Sequence, residues 1–342
     1  MPTRPTVTTR DIAERLNLSV STVGRALAQD SRISTPTRLR VQQTAAELGY
    51  AGNHAARMMR GAPSTVVGLV VPDVRNSFYS TAAHALTQIM GSRGYQVLLC
   101  ETGDAADREL AQVKGLAAAR VAGVIVVPVP HPRRESARLL AQLPHVQFLR
   151  RHPSLSGPWF GVDDRAILRA AAGHLRAIGH TRIAYLGGTP DFSTSRQRLT
   201  GYLDVVGGDA DQRLIVPTPP GSVEAARTAV AGLLDRTRPP SAVVTGSVRI
   251  TEGVLAELSA RRVSVPRDLS VVGFGDEPGF SWWGAGLTTM DLPVYEVATA
   301  CSRWLLERLP DGDPPPPASP PRGSLIKRGS TAPPPEMSHE RT

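Results

Sequence analysis

The chain is 342 residues long, 41% hydrophobic and 20% charged, enough to bury the cores of two or three domains. No run of about 18 apolar residues offers a membrane span, and Met1-Pro2-Thr3-Arg4-Pro5 runs into a polar segment without a secretory cleavage site, so a cytoplasmic location is expected. The formal charge of +9 is uneven: nine arginines face four acids in residues 1–61, more than half the excess in under a fifth of the chain, which suggests a polyanion partner unless an arginine-rich proteome raises charge everywhere.

In chain order, the first fifty residues read as three short helices. Thr8 or Thr9 can cap a helix in which Ile12, Ala13 and Leu16 share a face, and Asn17-Leu18 breaks it. Ser19 caps a second helix, directing Val23 and Leu27 to a core and Val20, Ser21 and Arg25 outward. Thr35-Pro36 opens a third, with Val41, Ala45 and Leu48 on one face and Gly49 as its stop. After a Gly61-Ala62-Pro63-Ser64 linker, β-rich runs at 66–71, 96–100, 123–127, 146–149, 182–186, 242–244 and 269–274 alternate with helical segments at 81–93, 110–119, 136–142, 166–178, 196–206, 223–234 and 250–260. That alternation predicts βαβ units on parallel sheets, and about ten strands predict two lobes. A strand at 287–290, a helix at 294–309, a stiff proline-dominated loop at 311–322, a strand at 324–327 and a disordered tail at 333–342 complete the expected elements. Cys100 and Cys301 read as buried small hydrophobes, too far apart in sequence for a metal knuckle. No metal or cofactor is expected.

A helix, a tight turn and a second helix with polar and basic side chains on its exposed face form the helix-turn-helix arrangement, whose second helix enters the DNA major groove. A helical hairpin used for protein contacts would show the same periodicity. Residues 7–27, VTTRDIAERLNLSVSTVGRAL, favour the first reading. They closely resemble the headpiece of the LacI/GalR family of bacterial repressors, and the resemblance continues through RLRVQQTAAELGY at 38–50 and NHAARMM at 53–59. It implies that Val20, Ser21 and Arg25 read base edges, Arg25 with two hydrogen bonds to guanine, while Thr8, Ser19, Thr22 and Asn53 contact the DNA backbone. It also implies a hinge helix in the minor groove, with Met59 as an apolar wedge and Ala56 as the small residue before it. Gly24 and Gly52 depart from the family's usual serine and proline; the first removes a hydroxyl contact and the second loosens the hinge.

Similarity to the family's two-lobed sensor runs through VGLVVPDVRNSFY at 67–79, RLTGY at 198–202, VPRDLSVVGFGD at 265–276 and KRGST at 327–331. The implied fold is an all-α helix-turn-helix headpiece at 6–50, a hinge helix and linker at 51–64, and an α/β, two-lobed, periplasmic-binding-protein-like (Rossmann-like) effector and dimerisation domain at 65–332. Its N-lobe would be 65–162 with 291–320 and its C-lobe 163–288 with 321–332. Ligand would lie between the lobes, where loops at the carboxyl ends of parallel strands make a crevice. Carried over by position, Phe78 and Tyr79 give an aromatic floor, Asp163 and Asp164 an acidic pair near the cleft, Arg198 a buried cation gripping ligand oxygens, and Asp276 a remaining hydroxyl acceptor. Ser247 and Val248 stand where the family has Asn-Asp, and Gly275 replaces the first of two aspartates. A typical monosaccharide therefore fits less well, and an anionic, unusual or absent effector is expected.

An enzyme reading finds only Gly273-Phe274-Gly275 with Gly279, whose spacing misses G-x-G-x-x-G and whose Pro278 sits where a helix would start. No nucleophile elbow, zinc-binding helix or paired-cysteine motif is present. The expectation is a non-enzymatic, sequence-specific transcription regulator: a homodimeric repressor on a pseudo-palindromic double-stranded DNA operator, its affinity set by a small-molecule effector. A DNA-binding regulator without an effector, and a solute receptor without DNA binding, are the rival readings.

Overall fold

The computed structural model describes residues 7–50, 64–207, 211–219, 221–309 and 312–334. The chain divides into two compact units, Met1–Ser64 and Thr65–Thr342.

Helices α1 (Thr9–Leu16), α2 (Val20–Leu27) and α3 (Thr35–Glu47) build the first unit. The Asp11 carboxylate accepts hydrogen bonds from the Thr8 N–H at 2.7 Å and the Thr8 hydroxyl at 2.9 Å. These bonds fix the start of α1 and hold the Asp11 carboxyl below its usual range. Asn17 ends α1 at φ 50°, a left-handed conformation that a short polar side chain tolerates. Ser19 Oγ accepts the Thr22 N–H at 3.0 Å and caps α2. Ser34, not Thr35, occupies the N-cap position of the third helix, without a side-chain capping bond, so Pro36 lies inside the first turn, where its missing N–H has no intrahelical partner to lose. Ile12, Val23, Ala26 and Val41 are fully buried, whereas Leu27 is half-buried. Leu27 packs against this core from its edge, as the four-residue spacing from Val23 predicts, and Ala26 joins Val23 inside it.

The second unit holds two sheets. The first has five parallel strands in the order β2-β1-β3-β4-β5: β1 (Val66–Val71), β2 (Gln96–Glu101), β3 (Gly123–Val126), β4 (His145–Phe148) and β5 (Trp159–Phe160). The second has the order β11-β10-β9-β8-β6-β7, from β6 (Ile183–Gly187), β7 (Ile215–Pro217), β8 (Ala242–Thr245), β9 (Ser270–Phe274), β10 (Thr288–Asp291) and β11 (Ser324–Ile326), with only β11 antiparallel. Helices α4 (Ser77–Gly91), α5 (Ala106–Ala118), α6 (Arg134–Leu140), α7 (Asp164–Ala177), α8 (Ser193–Val206), α9 (Val223–Leu234), α10 (Val248–Ala260), α11 (Pro278–Trp282) and α12 (Val294–Arg308) connect and cover them. Residues of β3, β6, β8 and β9 are buried throughout, as expected of parallel strands covered on both faces. Helix α12 packs on α4, β4 and β5, whereas β10 before it and β11 after it belong to the second sheet. The chain therefore passes between the lobes after β5, after β10 and before β11. Pro278, which argued against a helix at this point, instead opens α11 from its first turn. Both cysteines are buried and free of disulfides.

The C-terminal segment is strapped to the second sheet. His180 Nε2 lies 2.9 Å from the Ala332 carbonyl and Nδ1 lies 2.8 Å from the Ser241 hydroxyl. A carbonyl only accepts, so Nε2 carries the proton and Nδ1 accepts from Ser241. His174 Nε2 sits 2.9 Å from Thr331 Oγ1. Burial depresses the pKa of both rings. The unfolded chain then binds protons first as pH falls below about 6.5, so stability is lost through that window down to the folded values. Melting temperature is expected to fall between pH ~7 and ~5.5, and less steeply in His180→Gln. An equally steep fall in the variant would rule out His180 as a contributor.

Candidate effector cleft and nucleic-acid interface

On the first unit, α2 presents Val20, Ser21 and Arg25 to solvent. The hydroxyls of Ser19, Ser21 and Thr22 cluster at its N-terminus, Ser19 Oγ lying 2.9 Å from Ser21 Oγ and 2.8 Å from Thr22 Oγ1. Hydroxyls beside the unpaired N–H groups of a helix start suit a phosphate oxygen. The Arg25 side chain forms no hydrogen bond among the described residues, its backbone carbonyl accepting the Asp30 N–H at 3.0 Å. Arg32, by contrast, is locked onto Asp30 at 2.7 Å, and Arg38 donates to Thr35 at 3.0 Å. Thr8 is exposed but its hydroxyl proton points to Asp11. Asn53, Ala56 and Met59 lie outside the described residues.

Between the lobes of the second unit, a cavity of about 270 Å³ opens beyond the carboxyl ends of β1, β2, β4, β8 and β9. By liquid volume that is about nine waters, near the lower limit for small-molecule sites. Phe78 and Tyr79 line it from the N-lobe, and Arg198 and Phe274 from the C-lobe. Phe78 and Phe274 hold their ring centroids 6.4 Å apart across the lobes.

Arg198 is fixed on three sides. Nε donates to Asp164 Oδ1 at 2.6 Å, Nη1 donates to the Gly246 carbonyl at 2.7 Å, and the guanidinium lies 4.0 Å above the Phe274 ring. Its Nη2 forms no hydrogen bond among the described residues. Asp164 is 3% exposed, and burial pushes its carboxyl up while Arg198 opposes the shift. Neither member of the Asp163-Asp164 pair lines the cavity. Asp164 anchors Arg198, and Asp163 caps α7 by accepting the Ala166 N–H at 2.9 Å. Asp276 is likewise absent from the lining. It takes bonds from Arg328 at 2.7 and 2.9 Å and from the Thr289 hydroxyl at 2.7 Å, and Arg328 holds its carboxyl below the usual range.

Sequence reasoning missed Arg150 and Asp104. Arg150 is 8% exposed, is bound to Asp104 and sits 4.2 Å from the Phe192 ring centroid; all three residues line the cleft. Arg150 closely follows β4 and Asp104 closely follows β2, so placement beyond the carboxyl ends of parallel strands was the available signal. The two departures noted near the cleft prove to be neighbours. A Cβ added to Gly275, whose φ is +79°, would lie 2.6 Å from Val248 Cγ2. Val248 therefore occupies the room that a side chain at 275 would need. Ser247 caps α10, accepting the Ile250 N–H at 3.2 Å.

Among the described residues, no helix is long and apolar enough to cross a membrane, and no group of three or more His, Cys, Asp or Glu is placed to hold a metal ion. Residues 8–53 match the family described as bacterial regulatory proteins, lacI family, and residues 172–331 match a periplasmic binding protein-like domain. The HTH-type transcriptional regulator GalR of Escherichia coli is 29% identical over 303 residues, covering 87% of this chain and 88% of the relative. The ribose operon repressor of Halalkalibacterium halodurans is 27% identical over 302 residues, 88% of this chain and 90% of the relative. The solved lac repressor dimer bound to operator and the anti-inducer ONPF shares the fold, with a TM-score of 0.79 at 23% identity over 96% of this chain and 99% of that one. With a matching headpiece, a matching sensor domain and relatives aligned along most of its length, the chain belongs to the LacI family of DNA-binding transcription regulators.

Proposed function

We propose that the protein is a cytoplasmic repressor that binds a pseudo-palindromic operator as a homodimer and changes its operator affinity when a small molecule fills the interlobe cleft. The observation that carries this reading is the combination of Arg198, braced by a buried carboxylate with one nitrogen left over, and a cavity lined from both lobes. A ligand held by both walls favours the closed arrangement of the lobes, and operator affinity changes by the coupling energy, typically about 1–3 kcal/mol. Two exposed apolar features supply surfaces for pairing. Leu98 and Leu99 are 46% and 40% exposed on β2, an edge strand that needs cover. Trp282, 76% exposed, borders a shallow groove with Leu255 and Phe280 on the other lobe. No catalytic step is part of the proposal.

Selection of genomic fragments by the purified protein tests the reading: recovered fragments should share a two-fold-symmetric motif, and fragments without one would refute operator recognition. The hinge gives a second measurement. Met59→Ala removes most of the apolar volume of the proposed wedge, so operator binding should weaken by roughly 2 kcal/mol. Bending in a circular-permutation gel shift should fall with it, and unchanged bending would exclude the wedge.

A further inference from the structure

We infer that the cleft takes a small organic anion, a carboxylate- or phosphate-bearing molecule with an apolar flank, and not a neutral sugar. This rests on the cleft being the effector site. A neutral polyol must place a proton from each hydroxyl on an acceptor, since a buried donor left unpaired is expensive. Among the described lining residues the only carboxylates are Asp73 and Asp104. Asp73 is engaged by Arg75 through bonds of 3.0 and 2.9 Å, and Asp104 by Arg150. Among the described residues, the C-lobe wall contributes no carboxylate to the lining.

Donors are in excess on that same wall. Arg198 keeps Nη2 unbonded. Arg249 donates through Nη1 to Glu252 at 2.6 Å, yet its Nε is buried without a partner. Thr194 and Ser195 bring hydroxyls that form no hydrogen bond among the described residues. Each of these arginines already faces a carboxylate, Asp164 or Glu252, so paired charges alone leave the site near neutral. The helix ends tip the balance: Phe78, Thr194 and Val248 line the cavity and lie in the first turns of α4, α8 and α10. Three helix N-termini therefore meet there, each carrying the equivalent of about half a positive charge; the α4 end is already faced by the Glu277 carboxylate, which accepts the Ser77 hydroxyl at 2.6 Å, so α8 and α10 supply the excess.

The flank follows from Val248, which is 3% exposed and fills the space beside Gly275, and from Phe274, which is 2% exposed. At this end the wall offers methyl groups and a ring. A ligand hydroxyl facing that patch would lack a partner, whereas a methyl, methylene or aromatic edge would be buried.

Calorimetry and melting curves on the full-length protein, at fixed ionic strength, test this with paired probes. The carboxylate arm is mandelate against phenylethane-1,2-diol and gluconate against glucose; the phosphate arm is phenyl phosphate against phenol and glucose 6-phosphate against glucose. At least one acid should raise the melting temperature and bind about tenfold or more tighter than its neutral counterpart, and the arm that binds names the anion. Val248→Asp, which sets a carboxylate at the start of α10, should weaken that acid by about tenfold. Arg249→Gln should weaken it about threefold or more; its paired groups are partly exposed, so the fold is preserved. Neutral probes binding as tightly as the acids, or no acid binding at millimolar concentration, would overturn the anion and leave the cleft as a site for a neutral effector. Acids that bind wild type, Val248→Asp and Arg249→Gln equally are seated elsewhere, and that result would overturn both the anion inference and the cleft reading.

Discussion

Arg198→Ala is expected to destabilise the effector domain by about 3–5 kcal/mol, the usual effect of removing one partner from a buried ion pair. Asp164 is 3% exposed and its contact with Arg198 is 2.6 Å. Without the guanidinium its carboxylate has no counter-charge and must be protonated or hydrated at the expense of folding. The same substitution strands the Gly246 carbonyl, bonded at 2.7 Å, and removes the cation from the face of Phe274. Urea unfolding of a double-mutant cycle separates these effects. Asp164→Asn in the Arg198→Ala background should recover most of the loss, because a neutral amide replaces the uncompensated charge. A single variant within about 1 kcal/mol of wild type, or a double variant no better than Arg198→Ala, would refute the anchoring role. The stabilised double variant also isolates function: it should retain operator binding and lose its response to the effector.

That distinction shows where sequence legibility ended. The resemblance identified Arg198, but nothing in the spacing told whether Asp163 and Asp164 face the ligand or support the arginine. The answer depends on Asp163 starting a helix: a cap turns its carboxylate back to the Ala166 N–H, and the next residue is carried into the interior. Asp276 was legible as a carboxylate after a strand. Its engagement by Arg328, 52 positions later, needed the antiparallel return of β11. Long elements were readable from periodicity, since β1 and α9 occupy the predicted residues. Strands β5 and β7, of two and three residues, are too short to display a period of two. The substitutions at 247, 248 and 275 were visible as departures from the family pattern. Only three-dimensional proximity shows that Val248 and Gly275 are coupled.

On the DNA side, Arg25→Ala should reduce affinity for the preferred operator by about 1–3 kcal/mol and flatten discrimination among variants at the contacted base pair. Arg25 stands one helical turn after Ser21 on the exposed face of α2, and its length would let the guanidinium extend to the bases proposed to meet Ser21. Its fork is unengaged, so no internal bond must break before guanine is contacted. Removing an exposed side chain without a hydrogen-bond partner should also leave the headpiece melt unchanged, separating recognition from folding. Nonspecific binding should move much less, because the phosphate contacts proposed for Ser19, Thr22 and the helix N-terminus are untouched, and the dependence on salt should stay close to that of wild type. Arg32→Ala provides the contrast: that guanidinium is held by Asp30 at 2.7 Å, so its loss should leave base preference intact. Competition gel shifts against single-base operator variants measure both proteins. Discrimination preserved in Arg25→Ala, or lost in Arg32→Ala, would move the reading surface off the exposed face of α2.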